Sequence, residues 1–169
     1  MSESRPAQRL IRILASYGRF HRDPRNRLTH YFGVPAIIYS VLVPAALWVH
    51  WMLGVPVRLD RILVAAAAVG YLWLDIGLGL ALTAVLALLA RAAEATLAMG
   101  DRLALGTAAA VFVLGWTLQL LGHRLEGNRP ALLTNLAQIL VAPLYLVAEL
   151  EFALGWRPSL REHVERQLG

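Results

Sequence analysis

Cysteine and lysine are both missing from this chain of 169 residues. The absence of cysteine excludes disulfides, thiolate catalysis, cysteine-ligated zinc and iron–sulfur clusters. Charged residues make up only 16% of the chain, whereas hydrophobic residues make up 58% and the mean hydropathy is +0.56. A soluble domain of this size could not cover so much apolar surface with so few charges. The composition therefore predicts an integral membrane protein, built of helices because backbone amides in lipid must be satisfied within each segment.

The basic residues are unevenly distributed. All sixteen are arginines, and seven of them lie within the first 27 residues, at positions 5, 9, 12, 19, 22, 25 and 27. Positive residues stay on the cytoplasmic side of a membrane, so this cluster predicts a cytoplasmic N-terminus. Attraction to anionic lipid headgroups is a second interpretation. Nucleic acid is not an expected partner, since the apolar remainder has no use in that role.

Hydrophobic periodicity predicts a single all-α membrane domain over residues 1–169, an integral helical bundle of four to five spans. Its N-terminal segment, 5–20, is expected to form an amphipathic helix that lies in the membrane interface or packs on the bundle. The predicted spans cover residues 34–53, 62–76, 80–99 and 103–121.

The last apolar segment, 131–154, needs a separate interpretation. It contains Pro143, and a full crossing would place the C-terminal arginines outside, against the charge rule. We therefore expect it to bend at Pro143 and to pack as a re-entrant or core helix. No uninterrupted apolar core lies near the N-terminus, so no cleaved signal peptide is expected.

A parity argument connects the two ends of the predicted bundle. Residues 62–99 are too long for one crossing, so we expect a tight hairpin turning at 75–79, with Asp75 marking the turn. Four crossings then return residue 123 to the side of residues 21 and 30. Three crossings would separate them. The segment 54–61 is expected to be a loop on the far side.

Three histidines lie in polar segments beside the predicted spans, at positions 21, 30 and 123. Pro24 disfavours a continuous helix, so the segment 21–30 is expected to be a loop or broken helix that aims His21 and His30 at one point. If these segments meet, the imidazoles form a candidate metal site at the membrane surface. His50 is assigned to the opposite interface and His163 to the solvated tail.

Other polar residues near these histidines are candidates for the same site. Glu126, three residues after His123, is expected to be a fourth ligand or a catalytic base, or to form a salt bridge with neighbouring arginines. Asn26 and Gln119 are expected to support the ligands, Asn26 also in catalysis, and Glu149 is a further supporting candidate. Such a set suits zinc, iron, nickel or manganese, and without thiolates it fits non-haem iron(II) and oxygen chemistry well. Composition does not decide between iron and zinc.

Two sequence blocks resemble a known family. Residues 17–35 match Y-x3-H-x4-N-x3-H-x2-G-x-P, and residues 115–150 contain W-x2-Q-x3-H followed by E, P-A-L and a later P and E. Over residues 16–152 the chain resembles the 2-hydroxy fatty acid dioxygenase family of small multispan membrane proteins, which includes a fungal endoplasmic-reticulum enzyme and bacterial homologues.

That resemblance implies an iron(II)-dependent enzyme of fatty acid α-oxidation, which uses O2 to shorten a 2-hydroxy fatty acid by one carbon. It implies that the required histidines are His21, His30 and His123. We expect an integral protein of a bacterial inner membrane, surrounded by lipid, with the N-terminus and the metal site cytoplasmic. Three arginines are expected to attract the substrate carboxylate: Arg22, Arg25 and Arg27.

Two other functions remain open. A zinc hydrolase acting on a lipid ester or amide could use the same histidines, and it would work without oxygen. A non-enzymatic lipid-binding protein would use its polar loops only to anchor headgroups, and it would bind no metal tightly.

Overall fold

The computed structural model describes residues 5–52, 54–127 and 138–168. These residues form α-helices joined by short connections, which confirms the predicted all-α bundle. The helices are α1 (Arg5–Gly18), α2 (Pro24–Leu47), α3 (Leu59–Leu74), α4 (Ile76–Thr96), α5 (Asp101–Glu126), α6 (Gln138–Ala153) and α7 (Pro158–Leu168). A 3-10 turn, Leu97–Met99, follows α4, and two short strands, β1 (Val49–Met52) and β2 (Val55–Arg58), lie between α2 and α3.

The start of α2 corrects the expectation of a loop or broken helix over residues 21–30. Pro24 is the first residue of the helix, where its missing N–H leaves no intrahelical hydrogen bond unmade. Asp23 caps the helix by accepting a hydrogen bond from the backbone N–H of Arg25 at 2.8 Å. The proline therefore begins the helix rather than breaking it, and His30 lies on regular helix with a fixed direction.

The connection after α2 also differs from the prediction. The first span was expected to continue to residue 53 and to be followed by a loop, but α2 ends at Leu47 and an antiparallel β-hairpin follows, with Val49 paired to Arg58. Gly54 lies in its turn with φ of 78°, a conformation that glycine adopts without strain. Valine and tryptophan near the turn favour extended backbone, and this preference stabilises strands that are only four residues long.

The predicted helical hairpin is confirmed, with its turn at Asp75. The Asp75 side chain caps α4 by accepting from the backbone N–H of Leu78 at 2.9 Å. The chain then runs along the bundle four times, through α2, α3, α4 and α5. The end of α5 therefore returns to the start of α2, as the parity argument requires.

Three helical segments of the described residues are long and apolar enough to cross a membrane: Pro24–Leu47, Ile76–Met99 and Asp101–Glu126. The pair α6 and α7, bent by 118°, adds a fourth if it is counted as one broken span. The predicted span 62–76 corresponds to α3, whose 16 residues extend about 24 Å, less than the roughly 30 Å of a hydrocarbon core. The number of spans is thus three or four, at or below the lower end of the expectation.

The terminal helices pack together beside the bundle. α1 buries Leu10, Ile11 and Leu14 against α6 and α7, so the structure supports the packed interpretation of the amphipathic helix. α6 continues through Pro143, and the sharp bend lies after it, between α6 and α7. Residues 131–137 of the last apolar segment lie outside the described residues. Within the described part, α6 is a core helix.

Candidate metal centre

Three histidines from separate parts of the chain meet at one end of the bundle. His21 follows α1, His30 lies in the second turn of α2, and His123 lies in the last turn of α5. Each is almost fully buried, with exposed fractions of 2%, 2% and 5%. One ring nitrogen from each lies within 4.8 Å of the others, which makes these residues a group that could hold a metal ion.

Hydrogen bonds to the backbone determine the tautomers of two of these rings. Nδ1 of His21 lies 3.0 Å from the carbonyl oxygen of Tyr17, and Nδ1 of His30 lies 2.9 Å from that of Asn26. A carbonyl oxygen can only accept, so each Nδ1 carries the proton and each Nε2 presents a lone pair. The two Nε2 atoms are 3.2 Å apart. Two lone pairs facing at this distance repel each other, and a shared cation removes that repulsion.

The environment of His21 keeps its imidazole neutral, the form that binds metals. Burial lowers the pKa of His21 to about 4; the hydrogen bond to the Tyr17 carbonyl opposes this shift, and His123 adds to it. The Tyr17 ring also stacks on His21, with centroids 4.0 Å apart and planes within 5°. Tyr17 is not among the site residues predicted from the sequence, although its position four residues before His21 in the first sequence block is a usable signal.

Close packing of α2 on α5 brings His123 to the other two rings. Gly122 lies against α2 so tightly that a Cβ atom there would clash with Thr29 Oγ1 and Asn26 Oδ1. One turn after Thr29 along α2, a Cβ on Gly33 would lie 2.7 Å from Gln119 Nε2. The absence of side chains at these glycines lets the two antiparallel helices approach.

Glu126 lies beside this group rather than in it. Its carboxylate accepts hydrogen bonds from the backbone N–H groups of Arg22, at 2.5 Å, and Asp23, at 3.2 Å, and from the side-chain amide of Asn26. The two backbone donors belong to Arg22 and to the N-cap residue Asp23, just before α2, so the carboxylate acts as a cap supplied by another helix. Asn26 is fully buried, and it supports the centre through its backbone carbonyl to His30 and its amide to Glu126.

Gln119 is buried near the histidines, but the structure does not show it orienting a ring. Gln119 Nε2 and His123 Nδ1 both lack a hydrogen-bond partner among the described residues.

Glu149 is outside the group, since it forms an ion pair with Arg27 at 2.5 Å. The other two candidate arginines are also engaged: Arg25 pairs with Asp23 at 2.9 Å, and Arg22 donates to the carbonyl of Leu168 at 2.8 Å.

The remaining two histidines lie outside the group. His50 lies in β1, beyond the end of α2, which is about 25 Å along the helix from His30. His163 lies in α7, where Nδ1 is 2.5 Å from the carbonyl oxygen of Ser159. The structure thus brings together the three histidines expected from the sequence and leaves these two apart.

Comparison with known proteins identifies the family. No solved structure matches the chain. The 2-hydroxy-palmitic acid dioxygenase MPO1 of Saccharomyces cerevisiae is 32% identical over 161 residues, which cover 92% of this chain and 87% of the yeast protein. Residues 7–154 match the family described as 2-hydroxy-palmitic acid dioxygenase Mpo1-like. The family expected from the two sequence blocks is confirmed: the chain belongs to the 2-hydroxy-palmitic acid dioxygenase Mpo1-like family.

Proposed function

We propose that this protein is a non-haem iron(II) dioxygenase that shortens a 2-hydroxy fatty acid by one carbon, with His21, His30 and His123 as the protein ligands. The observation that carries the proposal is the convergence of three buried imidazoles, two of which face each other through unprotonated Nε2 atoms. Zinc would also suit imidazole ligands, but zinc has no redox chemistry. The dioxygenase relative therefore favours iron.

The protein's own residues prepare the centre. The backbone carbonyls of Tyr17 and Asn26 hold two rings in the ligating tautomer, and Glu126 fixes the beginning of α2 that carries one of them. Burial of all three histidines keeps bulk water away from a reactive oxygen centre. Bound iron(II) would supply the redox chemistry for dioxygen and positions for the carboxylate and hydroxyl oxygens of the substrate.

Atom balance limits the products. One 2-hydroxy acid and one O2 give the acid one carbon shorter, CO2 and water, and this balance closes without an added reductant. The C1–C2 bond breaks, C2 is oxidised to the new carboxylate, and C1 leaves as CO2. A carboxyl-labelled substrate should therefore release its label as CO2.

The proposed setting is a membrane with the centre on the cytoplasmic side. The arginine-rich N-terminal segment supports this orientation, because positive residues are retained there. The long apolar helices support residence within lipid, where a fatty acid substrate dissolves.

The direct test is turnover of 2-hydroxypalmitate to pentadecanoate by purified protein supplied with iron(II) and oxygen. His21→Ala and His123→Ala should abolish turnover, whereas the exposed His50→Ala, the matched control, should retain it. Full activity in both His21→Ala and His123→Ala would contradict the proposal. Conversion of a lipid ester or amide without oxygen would instead identify a zinc hydrolase.

A further inference from the structure

An apolar cavity adjoins the metal centre between α2, α5 and the first turn of α6. His30 and His123 form its wall at the end nearest the centre, and Val34, Ile37 and Ile38 continue that wall along α2. Among the described residues that line it, none is an arginine, aspartate or glutamate. Such a surface suits a hydrocarbon chain with few polar contacts.

A second pocket reaches the centre from the side of His21, and its chemistry is different. Its lining includes the charged residues Arg22, Arg27, Glu149, Arg161 and Glu165. Four of these charges form short ion pairs, Arg27 with Glu149 at 2.5 Å and Arg161 with Glu165 at 2.7 Å. The fifth, Arg22, donates to the Leu168 carbonyl. A hydrocarbon chain there would cover charged groups and remove them from water at a cost in free energy. The apolar cavity is therefore the side of the centre that suits an acyl chain.

Four polar side-chain atoms in the lining of the apolar cavity have no hydrogen-bond partner among the described residues: Trp116 Nε1, Gln119 Nε2, His123 Nδ1 and Gln138 Oε1. Gln119 is 7% exposed, and its Nε2 forms no hydrogen bond with the described residues. It lies one helical turn before His123 on the same face of α5, a separation of about 6 Å along the axis. Buried amides of this kind are normally satisfied, so an unpaired donor beside a candidate centre indicates a ligand atom.

We propose that this cavity receives the acyl chain of the substrate and that the Gln119 amide donates a hydrogen bond to an oxygen of its C1–C2 head. The inference rests on the proposed function, which makes the ligand a 2-hydroxy fatty acid. With the head at the histidines, the chain extends along Val34 and Ile38, past Trp116 on α5. Gln119 thereby distinguishes an oxygenated head from a plain hydrocarbon, because only the former satisfies its N–H.

The test measures equilibrium binding of 2-hydroxypalmitate to iron(II)-loaded protein under nitrogen, so that no turnover occurs. Gln119→Leu and the unbranched Gln119→Met should bind about tenfold to a hundredfold more weakly, equivalent to about 1.4–2.8 kcal/mol. Thr117→Val is the matched control, since Thr117 lies on the exposed side of the same helix and should leave affinity unchanged. In a parallel experiment, a hydroxy acid with a diazirine along its chain should cross-link to residues of the apolar cavity.

The outcomes separate the two proposals. If the wild type consumes oxygen and hydroxy acid but both Gln119 variants bind it as tightly, the inference about Gln119 is wrong and the proposed function stands. Cross-links confined to the charged pocket would overturn the placement of the chain. A wild type that neither binds nor converts the hydroxy acid would overturn the proposed function and this inference together.

Discussion

At the residue scale, the centre depends on which nitrogen of each imidazole holds the proton. His21 and His30 each bond to the backbone carbonyl four residues earlier, on Tyr17 and Asn26. The sequence predicted this group of three histidines, because four crossings return residue 123 to the side of residues 21 and 30 and the family resemblance implies the same three residues. It was not sufficient to predict the tautomers. The tautomer of His30 depends on α2 beginning at Pro24, which carries the Asn26 carbonyl toward the ring, and that of His21 depends on the Tyr17 carbonyl in the last turn of α1.

Replacing Glu126 separates a capping role from a ligand role. Glu126→Gln keeps the size of the side chain but removes the charge that accepts from the start of α2. We expect the free energy of unfolding to fall by about 1–2 kcal/mol, while the purified protein still binds iron. Loss of iron with unchanged thermal stability would show that the carboxylate is a ligand.

Replacing Gly122 tests the close contact that brings His123 to α2. The added methyl of Gly122→Ala would clash with Thr29 and Asn26, so we expect destabilisation of about 1–3 kcal/mol and weaker metal binding. Gly106→Ala, in the same helix with no atom within 4 Å of the new Cβ, should keep or slightly raise stability. Equal melting temperatures for the two variants would contradict the proposed contact.

At the element scale, the prediction from the sequence succeeded for long apolar helices and failed at their ends. Periodicity located α2 to α5, because a strong apolar pattern over many residues leaves few alternatives. It missed the β-hairpin, since four-residue strands give too short a pattern. It also treated Pro24 as a helix breaker. In a sequence, a proline that begins a helix can be distinguished from one that breaks it only when the preceding capping residue, here Asp23, is considered as well.

The turn between α3 and α4 is held to the junction of α6 and α7 by one ion pair. Arg157 donates two hydrogen bonds to Asp75, at 2.6 and 2.8 Å. Asp75→Asn should lower stability by about 1–3 kcal/mol. The control is Glu162→Gln, whose partner Arg166 is 3.7 Å away on an exposed surface and whose loss should cost about 0.5 kcal/mol or less.

The same pair predicts a pH dependence. Burial raises the pKa of Asp75, but the hydrogen bonds from Arg157 and the Leu78 N–H outweigh it and hold the pKa below the ordinary 3.8. The stability that the ionised carboxylate supplies is therefore fully present above about pH 4 and is lost as the pH falls through the lowered pKa. Melting curves from pH 6 to pH 3 should show a smaller decline in Asp75→Asn than in the wild type. Parallel declines would contradict this assignment.

At the scale of the whole molecule, the fold places the candidate metal centre at one end and an apolar-tipped hairpin at the other. The histidines, α1 and α7 lie together at the start of α2, and the β-hairpin with the exposed Trp51 lies beyond its end. Four runs along the bundle therefore bring the three histidines together at one end of it. The number of helices predicts this arrangement, but it does not predict how deep each helix lies in lipid.

The chain has no cysteine, so single cysteines can report its topology. Gln167→Cys in α7 and His50→Cys in β1 should react with a membrane-impermeant maleimide from opposite sides of sealed vesicles. We expect His50→Cys to be labelled from outside the cell and Gln167→Cys only after the membrane is opened. Labelling of both from the same side would contradict the three runs, α3, α4 and α5, that separate β1 from the end of the bundle where α7 lies.

The central claim is that three imidazoles bind one metal ion, and metal analysis tests it most directly. Protein purified without oxygen and loaded with iron(II) should retain about one equivalent after dialysis, and His30→Ala should lose it while His50→Ala keeps it. Retention of iron by His30→Ala at the wild-type stoichiometry would show that the metal is bound elsewhere and would contradict the account.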